Sequence, residues 1–245
     1  CVLLLKIVRV FLLCLHFALA SVLGLIVGLL RPFNPDNSRV CARIYAVPAL
    51  WLMGVKVRQE TDSLLNHQRP AVIVANHLSN YDLFVFGSRL PVRTVSLGKT
   101  SLKWIPLFGQ LYWLAGNVLI DRGNAIRAKQ SMLQLTDTLQ HKDMSIWVFV
   151  EGTRSHGKGL GPFKKGAFQM AVNAGVPIVP VVSNTYVRQV KLGRWNNGEI
   201  ILRSMPPIPT AGLTLDDVPA LMDRCRQQML DMIETLDREA GTLKA

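Results

Sequence analysis

The chain has 245 residues, of which 49% are hydrophobic and only 18% charged, with a formal net charge of +12 and a pI of about 10.0. Four cysteines (Cys1, Cys14, Cys41 and Cys225) form no Cys-x-x-Cys pair and no Cys/His zinc spacing, which excludes a zinc ribbon and leaves free thiols in a reducing compartment. The length allows one sizeable α/β core with an apolar appendage, and the charge asks for an anionic partner: nucleic acid, phospholipid headgroups or a phosphorylated substrate.

A chain opening at Cys1 reads as trimmed rather than as a lipoprotein cysteine, because apolar residues follow at once. Val10 to Leu30 carries no formal charge over 21 residues, enough for a helix that crosses a hydrocarbon core about 30 Å thick. Lys6 and Arg9 precede it, and the turn "RPFNPDN" ends it. A second apolar patch, Val40–Gly54, contains Arg43 and is interrupted at Pro48. A hairpin that enters the membrane and returns keeps Lys6, Arg9 and the basic remainder on one face, as the positive-inside tendency prefers over a single span. His16 is expected to serve structure within that hairpin. The N-terminal unit is residues 1–54, and the catalytic unit residues 55–245.

From residue 55 on, short β-branched runs alternate with helical patterns. Strands are expected at 55–58, 71–75, 92–97, 118–121, 145–150, 178–183 and 200–204. Helices are expected at 82–90, 125–140, 167–174 and 216–239. This alternation predicts an α/β fold, a mixed and mostly parallel sheet covered by helices, preceded by the N-terminal apolar helical hairpin. Sites in such sheets gather beyond the carboxyl ends of strands.

Four polar clusters fall at those ends. In Asn76–Asp82, "NHLSNYD", Asp82 in the first turn of a helix could fold back to His77, orienting a general base; a polar turn with Asp82 serving the helix N-terminus is the other reading, and the spacing alone does not separate them. In Gly98–Ser101, "GKTS", a P-loop is excluded because Arg93 stands where its first glycine must be, leaving Lys99 as a cation over the site or a solvated side chain. Gly116–Gly123 ends a strand on Arg122, suited to a phosphate or paired with Asp121. Glu151–Ser155, "EGTRS", offers backbone N–H groups, hydroxyls and an arginine to a phosphate, with Lys158, Lys164 and Lys165 following.

Taken in order, these clusters resemble the four blocks of the glycerolipid acyltransferase family, specifically its bacterial 1-acylglycerol-3-phosphate O-acyltransferases: Asn76-His77 with Asp82, Gly116 to Arg122, Glu151 to Ser155, and the Val-Pro-Ile-Val-Pro-Val run of Val176 to Val181. Two positions depart from it: Val150 replaces a common proline, and Leu119 stands where an aromatic or proline is usual. The resemblance implies that His77 takes the proton from the 2-hydroxyl of lysophosphatidate as it attacks an acyl thioester, acyl-CoA or acyl-carrier protein, and that Asp82 orients His77. It implies that Arg122, Thr153 and Arg154 hold the phosphate with Gly152, that Glu151 shapes that pocket, and that Lys99 meets the oxyanion or phosphate. No covalent enzyme intermediate is expected, since a thioester is already activated, and no metal or cofactor is implied. The partners expected are lysophosphatidate, the acyl donor and membrane phospholipid, with no nucleic acid, at the bacterial inner membrane with the catalytic unit facing the cytoplasm. An enzyme of the same family acting on another lysolipid or glycerol 3-phosphate is the nearest rival. A basic membrane-bound nucleic-acid-binding protein explains the charge but not the ordered blocks.

Overall fold

The structure is a computed structural model that describes residues 2–60, 69–121, 123 and 125–242. Two helices open the chain, α1 (Val2–Leu30) and α2 (Asn37–Met53). Helix α1 is the one described helix long and apolar enough to cross a membrane. It pairs with α2 through Tyr45, whose ring meets Phe17 and Phe108 and whose hydroxyl lies 2.6 Å from Ser21 Oγ. His16 Nε2 sits 2.9 Å from the Tyr45 carbonyl oxygen, a helix-to-helix contact as expected of a structural histidine. Pro48 does not interrupt α2 as expected. It removes one N–H donor, but Tyr45, Ala46, Ala49 and Met53 are buried on one face, and that packing holds the helix across it. Gly54 ends α2 at φ 66°, where a side chain would collide with the Trp195 carbonyl oxygen.

Arg9 does not point to headgroups. It is 5% exposed, and its guanidinium donates to the carbonyl oxygens of Leu192 (3.1 Å), Arg194 and Trp195 (3.0 Å) while lying over the Trp195 ring. Further along α1, Gly24 faces Leu111 and Gly28 faces Leu114. The hairpin therefore rests along the α/β unit over most of its length.

That unit is a seven-stranded sheet among the described residues, formed by β1 (Lys56–Glu60), β2 (Val72–Ala75), β3 (Thr94–Lys99), β4 (Val118–Ile120), β5 (Ser145–Phe149), β6 (Ile178–Ser183) and β7 (Glu199–Ser204). Its order is β1-β7-β6-β2-β5-β3-β4, parallel throughout except for β6 with β7. The mixed, mostly parallel sheet expected from the sequence is the one observed. β2 and β6 are buried along their whole length, as their continuous apolar runs require. Pro180 is tolerated in β6 because its missing N–H faces β7 where that ladder breaks: Ile178 bonds Ile208, the antiparallel register begins only at Val181, and Met205 N–H reaches the Pro180 carbonyl (2.8 Å).

The intervening helices are α3 (Asp82–Val85), α4 (Phe108–Leu114), α5 (Ala125–His141), α6 (Gly166–Ala174) and α7 (Val218–Glu239). One sheet face (Val72, Val74, Val95, Ile146, Ile178) packs with residues of α5, α6 and α7. The other (Ile73, Ala75, Trp147, Val179) packs with residues of α2 and α3. Each such valine or isoleucine, fully buried, contributes about 1.5–3 kcal/mol. Because β2, β3, β4, β5 and β6 run one way, Ala75, Lys99, Ile120, Phe149 and Ser183 all end at the same edge of the sheet.

Candidate active site

β2 ends at Ala75, and the chain turns through Asn76–Tyr81 before α3 begins at Asp82. The turn is tied down residue by residue. Asn76 donates its amide to the Ser183 carbonyl oxygen (3.2 Å) and accepts the Ser183 N–H (3.0 Å), joining the end of β2 to the end of β6. His77 donates its N–H to Glu151 Oε1 (2.7 Å) and accepts the Ser155 N–H (2.8 Å); the Leu78 carbonyl accepts the His156 N–H (3.0 Å). The Glu151–Ser155 loop thus clamps the backbone of the Asn76–Asp82 turn.

Asp82 is 1% exposed, and its carboxylate is met by four donors. Oδ2 accepts from His77 Nδ1 (2.6 Å), Leu78 N–H (2.7 Å) and Ser79 N–H (3.0 Å), and Oδ1 accepts from the Tyr186 hydroxyl. An imidazole that spends its Nδ1 proton on a carboxylate keeps a lone pair on Nε2. The ring is held flat against Phe149, with centroids 4.1 Å apart and planes 16° apart, and its side chain is 16% exposed. The arrangement is an oriented base with a fixed tautomer, able to take a proton at Nε2.

Glu151 is buried, and its carboxylate goes to backbone: His77 N–H on Oε1 and Gly161 N–H on Oε2 (2.8 Å). Burial pushes its carboxyl above the usual range, opposed by those two N–H groups and by the charge of His77, and assisted by Asp82. A Cβ at Gly161 would stand 2.8 Å from Oε2. Gly161→Ala is therefore expected to displace the carboxylate at a cost of about 1–3 kcal/mol, read as a lower midpoint in a thermal melt together with slower turnover. Val150, where the resemblance leads one to expect proline, is fully buried and donates its N–H to the Ala75 carbonyl (3.2 Å), a link between β5 and β2 that proline would lack.

Gly152 takes φ 72°, the left-handed turn by which the loop leaves β5. Thr153 and Arg154 occupy the exposed arc between Glu151 and Ser155, the two residues bonded to the His77 backbone. Ser155 Oγ is buried with no hydrogen-bond partner among the described residues. Lys99 is exposed at the end of β3, two strands from β2, a separation of about 10 Å at the usual strand spacing. Arg122 lies outside the described residues; the preceding strand β4 delivers the chain to the same sheet edge. Tyr186 and Phe149, both in contact with the His77–Asp82 pair, were not singled out from the sequence, which carries no local sign of either contact.

Among known proteins, the sequence model of the family described as Acyltransferase matches residues 55–184. The chain is 42% identical over 236 residues to the 1-acyl-sn-glycerol-3-phosphate acyltransferase of Haemophilus influenzae, covering 96% of this chain and 98% of the relative. It is 38% identical to the enzyme of that name from Escherichia coli, covering 98% of each. It is 39% identical to the human 1-acyl-sn-glycerol-3-phosphate acyltransferase alpha, covering 91% of this chain and 77% of the relative. In fold it is similar to the crystal structure of the 1-acyl-sn-glycerophosphate (LPA) acyltransferase of Thermotoga maritima, with a TM-score of 0.72 at 22% identity, covering 95% of this chain and 98% of the other.

Proposed function

The chain belongs to the acyltransferase family, and from that premise we propose that it transfers an acyl group from a thioester to the 2-hydroxyl of 1-acylglycerol 3-phosphate, making phosphatidate. The observation that carries this reading is the His77–Asp82 contact at 2.6 Å, with Nε2 left to face a substrate beside the Gly152–Ser155 arc.

His77 Nε2 takes the hydroxyl proton as that oxygen forms a bond to the thioester carbonyl carbon. The carbon–sulfur bond then breaks, and the thiolate leaves with the proton returned from the imidazolium. Asp82 stabilises the imidazolium between those steps. Thr153, Arg154 and Arg122 hold the phosphate, helped by the backbone of Gly152, and Lys99 faces the developing oxyanion or the phosphate. Glu151 acts on that pocket through backbone, by keeping the loop against His77. The donor is acyl-CoA or acyl-carrier protein, used as a substrate, and the chemistry calls for no further cofactor.

Residues 1–54 act as the membrane-associated unit and residues 55–245 as the catalytic one. Support for a hairpin lying in the interface comes from α1 itself, whose Arg9, Gly24 and Gly28 all stay in contact with the α/β unit. A helix crossing the bilayer would leave it. The outer face of α1, with Leu3, Phe11, Leu19 and Leu29 exposed, then meets lipid at the cytoplasmic face of a bacterial inner membrane, and the net charge of +12 attracts its anionic headgroups.

The test supplies the purified chain with lysophosphatidate and an acyl thioester and follows phosphatidate and free thiol together. Equal release of both is expected. Turnover confined to glycerol 3-phosphate or to a lysolipid without a phosphate monoester would overturn the acceptor assignment.

A further inference from the structure

Asp82 has two oxygens and they are used differently. Oδ2 collects three donors, from His77, Leu78 and Ser79, while Oδ1 has the Tyr186 hydroxyl. Tyr186 follows β6, is 0% exposed, and comes to the pair from 104 residues away in the chain. Its own position is set from two sides. Gln189 and Val190 fold back to donate to its carbonyl (2.9 and 3.2 Å), and its neighbour Thr185 donates both N–H and hydroxyl to Asp237 near the end of α7. A phenol has one proton, and here the carboxylate has none to offer it, so Ser79 Oγ, 3.2 Å away, is the donor to the phenol oxygen.

We infer that Tyr186 is a positioning residue for the acyl transfer: by filling Oδ1 it prevents rotation of the Asp82 carboxylate and sets how strongly Oδ2 holds the His77 Nδ1 proton. Buried as it is, the phenol touches no substrate. Burial, and then the charge of Asp82, hold its ionisation well above the usual tyrosine range, so it remains a donor throughout the pH range of an assay. The other ionisable groups facing the pair are Glu151, through the His77 N–H, and Tyr81, beside Tyr186.

This inference rests on His77 being the base. Removing the Oδ1 donor leaves more charge on Oδ2, which holds the imidazolium proton more tightly. Tyr186→Phe should therefore move the acidic limb of the kcat/KM profile to higher pH, and, because the carboxylate is freed to rotate and no longer fixes the imidazole, lower kcat about ten- to thirtyfold with little change in KM for lysophosphatidate. A residue that only packs would lower activity without moving that limb. Placed in an Asp82→Asn background, the same substitution should change the remaining rate less than about twofold, because its effect passes through the carboxylate.

Incorporating 3-fluorotyrosine at position 186 keeps the shape but strengthens the donor, and should move the limb to lower pH. If Tyr186→Phe does not fold, by its thermal melt, the fluorinated protein alone decides. An unmoved limb in whichever of these proteins folds, or an undiminished loss in the Asp82→Asn background, overturns the proposal. His77→Ala separates the two levels: activity surviving in that variant refutes the base assignment itself, whereas its loss beside an unaffected Tyr186→Phe refutes only the role of Tyr186.

Discussion

Replacing His77 with alanine should lower kcat/KM for phosphatidate formation by about 10²–10⁴-fold, the range a positioned general base contributes, while the thermal midpoint moves by no more than a few degrees. The two halves of this expectation have separate causes. The imidazole is 16% exposed and, among the described residues, makes a single side-chain hydrogen bond plus one stacking contact, with Phe149, so little of the fold depends on it. The backbone of His77, which the variant keeps, is what holds Glu151 and Ser155. Asp82→Asn should behave differently. Four donors converge on the carboxylate, and an amide offers one oxygen and a second donor in their place. At least one buried donor is left facing another, so that variant should lose both rate and stability, and its imidazole is no longer held in the productive tautomer. Activity assays and melts on the two proteins side by side check this. A His77→Ala enzyme keeping more than about a tenth of the wild-type rate would remove His77 from the chemistry.

Much of the sheet is legible because its central strands are short β-branched runs with sharp polar ends. Ile178–Ser183 is found where expected, and Val118–Ile120 and Ser145–Phe149 end within a residue of expectation. Where the reading slipped, a local backbone feature decided. The strand expected at 92–97 begins at Thr94, because Arg93 takes φ 49° and turns the chain before the ladder starts. The helix expected over 82–90 is one short α turn followed by a 3-10 turn at Gly87–Arg89, where Gly87 lies close against Ala42 of α2. Helix α4 was missed altogether: seven residues containing a glycine give no helical period, and it forms because Phe108 and Leu111 bury against the hairpin. Asp82 beside His77 is one of two readings the turn allows, since both ends of that contact lie within one loop, and only the company of the other ordered blocks favours it. Tyr186, Arg9 and Glu151 could not be read in the same way. Asp82, Trp195 and His77, which they reach, are dozens of residues distant or more, and nothing in "TYV", in a charge beside an apolar run, or in "EGTRS" says which group each side chain meets.

Glu151→Gln is the substitution that tests what such a long-range contact does. The side chain keeps its size, so packing is preserved, but it now offers one oxygen to two N–H groups, those of His77 and Gly161, and turns its NH₂ toward whichever is left. Losing a charge-assisted bond of this kind costs about 1.5–3 kcal/mol, which for a chain of this size is a fall in midpoint of about 5–10 °C. Turnover should fall as well, with no loss of any group that touches substrate, because the loop carrying Thr153 and Arg154 is no longer fixed beside His77. The pH dependence gives the contact its signature. In the folded protein the Glu151 carboxyl is raised above its ordinary value, so between those two values the folded chain binds more protons at this position than the unfolded one does. The contribution of this titration to folding is therefore most favourable below the ordinary carboxylate range and declines as pH rises through the raised value. Glu151→Gln has no such titration. The stability difference between wild type and variant should thus narrow with rising pH across that window, and then level off at the residual worth of the two N–H contacts. Melts of both proteins across that window measure the difference directly. A difference that grows with pH would mean that the carboxylate, held by His77 and Gly161, prefers to be ionised in the fold, and that the two N–H groups outweigh its burial.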